Sequence, residues 1–117
     1  MRYLLLIYSE ELTGAPDPVE GEKVMAEYWA YGAAVDAAGV KQAGEALQPS
    51  TTATTVRVKD GERVVTDGPF AETREVLGGF YMIDVPDLDA ALDWAARCPG
   101  AKYGSIEVRP IMEFETP

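Results

Sequence analysis

The sequence contains no histidine, a single cysteine, and half as many basic as acidic residues. The usual zinc sites are built from several His and Cys side chains, so a sequence with no histidine and one cysteine excludes them. The lone Cys98 allows no internal disulfide and indicates a reducing compartment. With 10 Lys and Arg against 20 Asp and Glu, the net charge of −10 disfavours nucleic acid and anionic membranes as partners. The acidity is typical of a protein kept in solution by its charge.

Long apolar runs are also missing. The stretch at residues 3–8, YLLLIY, is too short to span a membrane, and Glu10 and Glu11 follow it directly where a signal peptide would have small residues. We therefore expect a cytoplasmic protein with no membrane partner. No dinucleotide-binding, phosphate-loop or calcium-loop spacing occurs, so the expectation is no cofactor and no metal site.

The 117 residues, of which 47% are apolar, predict one globular domain spanning residues 1–117. Residues 2–8 and 80–85 carry apolar side chains on both of the faces that alternate along a strand. This pattern predicts two interior strands covered on both sides. Helical periodicity indicates helices over residues 19–38, ending at Gly39, and from Asp87 to the Pro99-Gly100 pair. Short strands are predicted at residues 40–47 and 106–114.

Residues 51–67 alternate around Asp60-Gly61, a strong hairpin signal. The predicted order is then β-α-β, hairpin, β-α-β. This is an α+β, ferredoxin-like split β-α-β sandwich with an inserted β-hairpin. Two helices cover only one face of such a sheet, and the other apolar face needs a cover. The simplest cover is a second copy of the same sheet, so we expect a homodimer with sheets packed face to face.

The stretch at residues 67–80, DGPFAETREVLGGF, joins the hairpin to an interior strand, and connections of this kind often carry function. The Asp67-Gly68-Pro69 turn ends the strand, and residues 71–76 are predicted to form one helical turn. Asp67 is a candidate general acid or base if partly buried, or a residue that caps the turn. Glu72 and Glu75 form either a proton-sharing pair or a solvated cluster.

At this turn the sequence resembles the DGPF group of YCII-related proteins. The resemblance runs nearly end to end and also includes the stretches GEALQP (residues 44–49), GGFY (78–81), WAARCP (94–99) and GSIEVRPI (104–111). It implies a dimeric α+β barrel of ferredoxin-like protomers and a largely unassigned activity. Genes of this group often lie beside those for extracytoplasmic-function sigma factors, which implies a regulatory association.

The wider YCII group carries a His and an Asp in a cleft, proposed as a catalytic dyad. In this sequence the corresponding places fall near Glu27 or Tyr28 and at Cys98. The dyad therefore cannot be transferred, and any chemistry must differ. Cys98 is expected to be a buried structural residue, because a helix C-terminus does not stabilise a thiolate.

Two hypotheses remain. In the first, the protein binds a small polar or anionic molecule near Asp67, with or without cofactor-free acid–base chemistry. Asp67 and Glu72 would be the catalytic candidates. The substrate-binding candidates would be Trp29, Glu45, Arg57 and Tyr81. In the second, the protein is a non-catalytic dimeric module acting with a transcription regulator such as an extracytoplasmic-function sigma factor. A closed cavity would favour the first, and a large exposed apolar patch the second.

Overall fold

The computed structural model of the protein describes residues 1–11 and 17–115. Six strands, two long helices and two short helical segments follow one another along the chain. The elements are β1 (Arg2–Glu10), α1 (Pro18–Ala37), β2 (Lys41–Ala46), a 3-10 turn (Ser50–Thr52), β3 (Thr54–Lys59), β4 (Glu62–Asp67), β5 (Glu75–Asp84), α2 (Leu88–Arg97), α3 (Gly100–Tyr103) and β6 (Ser105–Pro110).

Four strands form one antiparallel sheet in the order β2-β5-β1-β6. This order, with α1 after β1 and α2 after β5, is the split β-α-β arrangement of ferredoxin-like folds. The remaining strands, β3 and β4, pair only with each other and form a separate two-stranded ribbon. The predicted fold class, a ferredoxin-like sandwich with an inserted hairpin, is confirmed.

The core lies between the sheet and the helices. Tyr3 and Leu5 of β1 and Ile83 of β5 point to the helix side and are almost fully buried. Their partners across the layer are Val35 of α1 and Ala91 of α2, which belong to the same apolar cluster. Alternation along a strand sends every second side chain to one face, so these residues define the covered face of the sheet.

The other face of the sheet is open. Leu4 lies opposite Met82 and Leu6 opposite Phe80, and all four side chains are only half-buried. The two strands predicted to be interior do lie in the middle of the sheet. The cover predicted for their second face is not supplied by any residue within 1–11 or 17–115 of the same protomer.

The ribbon closes in a tight turn at Asp60 and Gly61, whose φ angles of 51° and 80° are both in the left-handed region. This is the geometry of a two-residue type I′ hairpin, and it confirms the turn predicted from the sequence. At the other end of the ribbon, the Gly68 amide donates to the Ala53 carbonyl and the Thr55 hydroxyl donates to the Gly68 carbonyl. Gly68 itself has φ of 98°, which explains why a glycine follows Asp67.

Two local predictions are wrong. Residues 71–76 form no helical turn, because β5 begins at Glu75 and extends that strand into the predicted segment. The last strand is shorter than predicted: it ends at Pro110, which has no amide hydrogen, and the Ile111 amide beyond it still donates to the Arg2 carbonyl. The predicted end of the second helix at Pro99-Gly100 agrees with α2, and Gly100–Tyr103 adds the short helix α3. Gly14 and Pro16 of the predicted first loop lie outside the described residues.

Candidate functional site

One cleft lies between α1 and the segment that joins α2 to α3. Its volume is about 480 Å³. One wall is formed by Tyr31 and two alanines of α1. The other wall is formed by residues 96–99 and Lys102. The lining residues are Glu27, Ala30, Tyr31, Ala34, Ala96, Arg97, Cys98, Pro99 and Lys102. We call this space the helix cleft.

The floor of the helix cleft holds Cys98, which is 1% exposed and caps the C-terminus of α2. Burial raises the pKa of its thiol, so the thiol stays protonated at neutral pH. The Tyr28 hydroxyl lies beside this thiol, and burial followed by the neighbouring Cys98 raises the pKa of Tyr28 as well. The prediction of a buried structural cysteine is consistent with this geometry.

Two more tyrosines lie close to the same thiol. Tyr31 donates a hydrogen bond of 2.8 Å to the Trp94 carbonyl, and its ring meets the edge of Tyr81 with centroids 5.2 Å apart. Burial raises the pKa of both Tyr31 and Tyr81. The three tyrosines and Cys98 thus form a cluster of protonated, neutral side chains, of which Tyr31 and Cys98 line the cleft.

The rim of the helix cleft is charged. Glu27 of α1 contacts Lys102 of α3 at 2.7 Å and accepts a hydrogen bond from the Tyr103 hydroxyl at 2.9 Å. Hydrogen bonding to Lys102 lowers the pKa of Glu27, which therefore stays ionised. These contacts tie α1 to α3 across one side of the cleft.

Arg97 lies on the same rim, with the centre of its guanidinium 4.4 Å from the Trp94 ring centroid. Within the described residues no carboxylate forms an ion pair with Arg97. A stacked guanidinium keeps its N–H edge available, so Arg97 can bind an anionic group in the cleft.

The residues predicted from the sequence to form a site lie in several places. Trp29 is 73% exposed on α1. Glu45 is exposed on the edge strand β2, opposite Phe80, and so faces the open side of the sheet. Tyr81 is on the helix side, where it contacts Tyr31. Of these three, only Tyr81 lies in the region of the helix cleft.

Asp67 and Arg57 are not brought together within the protomer. Asp67 lies opposite Thr54 in the ribbon and Arg57 opposite Val64. Residues 54 and 57 are an odd number of positions apart, so the side chains of Asp67 and Arg57 occupy opposite faces. Asp67 is also exposed, so the partial burial on which its predicted acid–base role depends is not found in the protomer.

Glu72 lines a smaller cleft of about 310 Å³ beside the Asp67 turn, together with Glu11, Ser50 and Thr51. Glu11 accepts hydrogen bonds from the Ser50 amide and hydroxyl, which anchors the 3-10 turn to the end of β1. Glu75, the predicted companion of Glu72, accepts from the Ser105 hydroxyl instead. The proton-sharing pair has no support in this geometry, and Glu72 remains a predicted site residue.

Within the described residues, no three His, Cys, Asp or Glu side chains converge as metal ligands would. None of the described helices combines the length and the apolar character needed to cross a membrane.

Residues 1–115 match the family model described as the YCII-related domain. The chain belongs to the YCII-related family. It is 44% identical to an uncharacterised protein of Rhizobium meliloti (strain 1021) over 118 residues, covering 98% of this chain and 95% of that protein. The resemblance carried by the DGPF turn and its companion motifs is thereby confirmed.

One solved structure similar to this YCII-related chain is 5-chloro-2-hydroxyhydroquinone dehydrochlorinase from Burkholderia phenoliruptrix AC1100, in complex with 2,5-dihydroxybenzoquinone. The TM-score is 0.52 at 14% identity, with 97% of this chain and 96% of that chain covered. An identity this low shows a shared fold and nothing about the reaction.

The resemblance places the family's His near Glu27 or Tyr28 and its Asp at Cys98, and two of these residues meet in one cluster. Tyr28 and Cys98 lie together, and the first turn of α3 meets them at Gly100. Sequence reasoning missed Arg97 and Lys102 as rim residues. The sequence feature that could have indicated Arg97 is the WAARCP motif, which places it beside Cys98. Helical spacing alone cannot show which cation lacks a carboxylate partner.

Proposed function

We propose that this YCII-related protein binds a small anionic molecule in the helix cleft. The observation that carries the proposal is the Arg97 guanidinium, which forms no ion pair with a carboxylate of residues 1–11 or 17–115 and lies beside a 480 Å³ cleft in a protein of net charge −10. With twice as many acids as bases, an arginine without a carboxylate partner at a cleft is available for a ligand. An arginine binds carboxylate and phosphate groups through two parallel hydrogen bonds.

The rest of the helix cleft supports a ligand with a planar or apolar body. Tyr31 and the alanines of α1 and α2 supply apolar walls, and the protonated thiol of Cys98 lies at the base. Concave sites that are mostly apolar and contain a few polar anchors are typical of small-molecule binding. Lys102 adds a second cation on the rim, held in place by Glu27.

The pKa shifts in the cleft favour binding over acid–base catalysis at neutral pH. Hydrogen bonding to Lys102 lowers the pKa of Glu27, and burial raises the pKa values of Cys98 and Tyr31. A general acid or base works best when its pKa is near the operating pH. The pKa of Glu27 is shifted below that range, and the pKa values of Cys98 and Tyr31 are shifted above it.

The chemical class of the ligand is an aromatic or quinonoid anion. The dehydrochlorinase that shares the fold was solved with 2,5-dihydroxybenzoquinone, an acidic planar compound that a guanidinium and a tyrosine wall would suit. The size of the helix cleft is within the range of sites that hold compounds of this kind.

The experiment is calorimetric titration with 2,5-dihydroxybenzoquinone, benzoate and inorganic phosphate as probes. We expect the quinone to bind, and Arg97→Gln to weaken its binding by about tenfold or more, as loss of a charge-assisted pair does. Lys59→Gln is the matched control, because it removes a cation from the ribbon and leaves the helix cleft unchanged. Equal affinity in the wild type and Arg97→Gln would overturn the proposal.

The predicted ligand site at Asp67 is a separate proposal, supported by the strand-end position of this residue and by the polar cleft that Glu72 lines. Asp67→Asn distinguishes a ligand residue from a turn residue. A lower melting temperature with unchanged binding of the three probes would make Asp67 structural.

A second candidate function is that of a non-catalytic dimeric module that acts with a transcription regulator such as an extracytoplasmic-function sigma factor. It is favoured by the apolar side chains exposed along the ribbon and by the half-buried apolar side chains of the open sheet face. We propose that a homodimer covers part of this surface.

A further inference from the structure

We propose that the ligand of the helix cleft carries two acidic groups on one planar body, one bound by Arg97 and the other by Lys102. This inference rests on the anion site proposed above and deepens it, because it adds a second anchor and states the number of acidic groups. It also makes Tyr103 a positioning residue, which acts on the ligand through Glu27 and Lys102.

The balance of charge in the helix cleft is the reverse of that in the whole protein. The sequence has 20 acids against 10 bases. Of the described residues that line the cleft, two are cations, Arg97 and Lys102, and one is an acid, Glu27. A concave site that concentrates one sign of charge attracts ligands of the opposite sign, and the attraction is strongest for a ligand with two charges.

A third cation lies close to the cleft without lining it. Hydrogen bonding to Lys102 lowers the pKa of Glu27, and the charge of Lys23 adds to that shift. Lys23 is exposed on α1 and is not among the lining residues. It therefore contributes charge near the cleft but no contact inside it, which makes it a matched control for effects of charge alone.

The Lys102 ammonium is held in a defined position by its neighbours. One oxygen of the Glu27 carboxylate contacts it at 2.7 Å, and the other oxygen accepts a hydrogen bond from the Tyr103 hydroxyl at 2.9 Å. An ammonium has three N–H donors, so contact with one carboxylate oxygen leaves donors for a ligand. A side chain that is already ordered loses less conformational entropy on binding, which strengthens the second anchor.

The Arg97 guanidinium is held independently of Lys102. It stacks on the Trp94 ring at 4.4 Å and forms no ion pair with any carboxylate that the structure describes. Arg97 is the last residue of α2 and Lys102 belongs to α3, with Cys98 and Pro99 of the cleft wall between them in the chain. The two cations are therefore separate anchors on two helices.

Separate anchors and apolar walls together define the shape of the ligand. Tyr31 and the alanines that line the cleft suit a flat ring, and the volume of about 480 Å³ accommodates one. A single carboxylate or phosphate would use one anchor, whereas acidic groups at opposite ends of a ring can use both. The ligand class is therefore a planar compound with two acidic groups.

Two carboxylates built on the same ring test the number of anchors. Benzoate has one carboxylate, and terephthalate has a second one at the opposite end of the ring. The measurement is calorimetric titration of the wild type at one fixed pH and ionic strength. We expect terephthalate to bind at least about tenfold more tightly than benzoate, which is the gain from one further charge-assisted contact.

Lys102→Gln identifies the second anchor. It should lower the affinity for terephthalate to that for benzoate, and change the benzoate affinity no more than Lys23→Gln does. Arg97→Gln should weaken the binding of both probes. Lys23→Gln removes an equal charge from a residue that does not line the cleft, so it should keep the preference for terephthalate.

Tyr103→Phe tests positioning, because it removes one hydroxyl and no charge. The Glu27 carboxylate then loses one of its two contacts and holds Lys102 less firmly. We expect the ratio of terephthalate to benzoate affinity to fall while the benzoate affinity stays at the wild-type value. A melting curve checks that the variant is folded, and an unchanged ratio would overturn the positioning role.

The outcomes separate this inference from the anion site on which it rests. Equal affinity for benzoate and terephthalate, with both weakened by Arg97→Gln, overturns the second anchor and leaves the anion site. Equal effects of Lys102→Gln and Lys23→Gln on terephthalate also overturn it, because charge alone would then explain the preference. If neither carboxylate binds, the inference fails, and the quinone titration with Arg97→Gln decides the anion site separately.

Discussion

Gly100 lies where three side chains meet the start of α3. A Cβ atom at this position would be 2.8 Å from both the Ile7 Cγ2 and the Tyr28 Oη atoms, and 3.2 Å from the Ile106 Cδ1 atom. We expect Gly100→Ala to lower the free energy of unfolding by about 1–3 kcal/mol, the usual cost of overpacking a core. Urea denaturation with tryptophan fluorescence measures it.

The matched control is Gly21→Ala. Nothing lies within 4 Å of a Cβ there, and the residue is exposed in α1. Alanine should stabilise the helix by about 0.5–1 kcal/mol. If Gly100→Ala were as stable as Gly21→Ala, the close packing of Tyr28 against α3 would be contradicted.

The buried thiol and phenols predict a loss of stability at alkaline pH. Burial raises the pKa values of Cys98 and Tyr31 in the folded state, so the folded protein holds protons that the unfolded chain releases. Stability from such groups is complete below the ordinary thiol pKa of about 8.5 and falls as pH rises above it. The melting temperature should be level from about pH 6 to 8 and decline above pH 9.

Cys98→Ala isolates the thiol's part of this effect. The variant removes the first ionisation and keeps the tyrosines, so its melting temperature should begin to fall at higher pH than that of the wild type. Identical pH profiles for the two proteins would show that the thiol has the same pKa in the folded and unfolded states.

Individual residues show where sequence reasoning succeeds. The cap at Asp87 and the stop at Gly39 were predictable because each depends on a local conformation, and the structure has a hydrogen bond of 2.9 Å at the first and φ of 70° at the second. Asp67 was harder, because its predicted role depends on burial, which distant parts of the chain decide. The Gly78-Gly79 pair permits close strand approach, since a Cβ on Gly79 would be 2.8 Å from the Glu45 carbonyl.

At the scale of elements, α2 offers a clean test of helix capping. The Asp87 carboxylate accepts a hydrogen bond from the Ala90 amide, which satisfies one of the free donors in the first turn. Asp87→Ala should reduce the free energy of unfolding by about 1 kcal/mol. Asp93→Ala, on the exposed side of the same helix, removes an equal charge without a cap and should change stability by less than about 0.5 kcal/mol. Parallel urea titrations compare them.

Periodicity predicted both long helices and the hairpin, because each pattern extends over several turns or pairs. It failed over residues 71–76, where five polar or small residues precede Val76 and either a helical turn or a strand start fits the pattern. Pairing with β1 decides the outcome, since Glu10 lies opposite Glu75 and Ser9 opposite Val76. Such long-range pairing is invisible in a local window.

At the scale of the whole molecule, the doubly apolar strands implied a second layer that the protomer does not contain. The fold could be predicted because helix and strand order admit few arrangements. The helix cleft could not, because its rim combines Glu27 of α1 with Arg97 and Lys102 from the other end of the sequence. Only packing brings those side chains to one edge, and only the assembled charges show that Arg97 has no carboxylate partner in the part of the chain that the structure describes.

The protomer exposes 8607 Å², whereas a free-standing protein of this mass exposes about 6,200 Å². The excess exposed surface predicts that folding and association are coupled. If the protomer completes its burial only in a dimer, the melting temperature must rise with protein concentration by mass action. A tenfold increase in concentration adds about 1.4 kcal/mol for each dimer, which should raise the melting temperature by about 3–5 °C. Scanning calorimetry between micromolar and hundred-micromolar protein measures the slope.

A wild-type melting temperature that does not change with concentration would mean that each protomer is stable alone. The extended ribbon would then have to be held by contacts within its own chain.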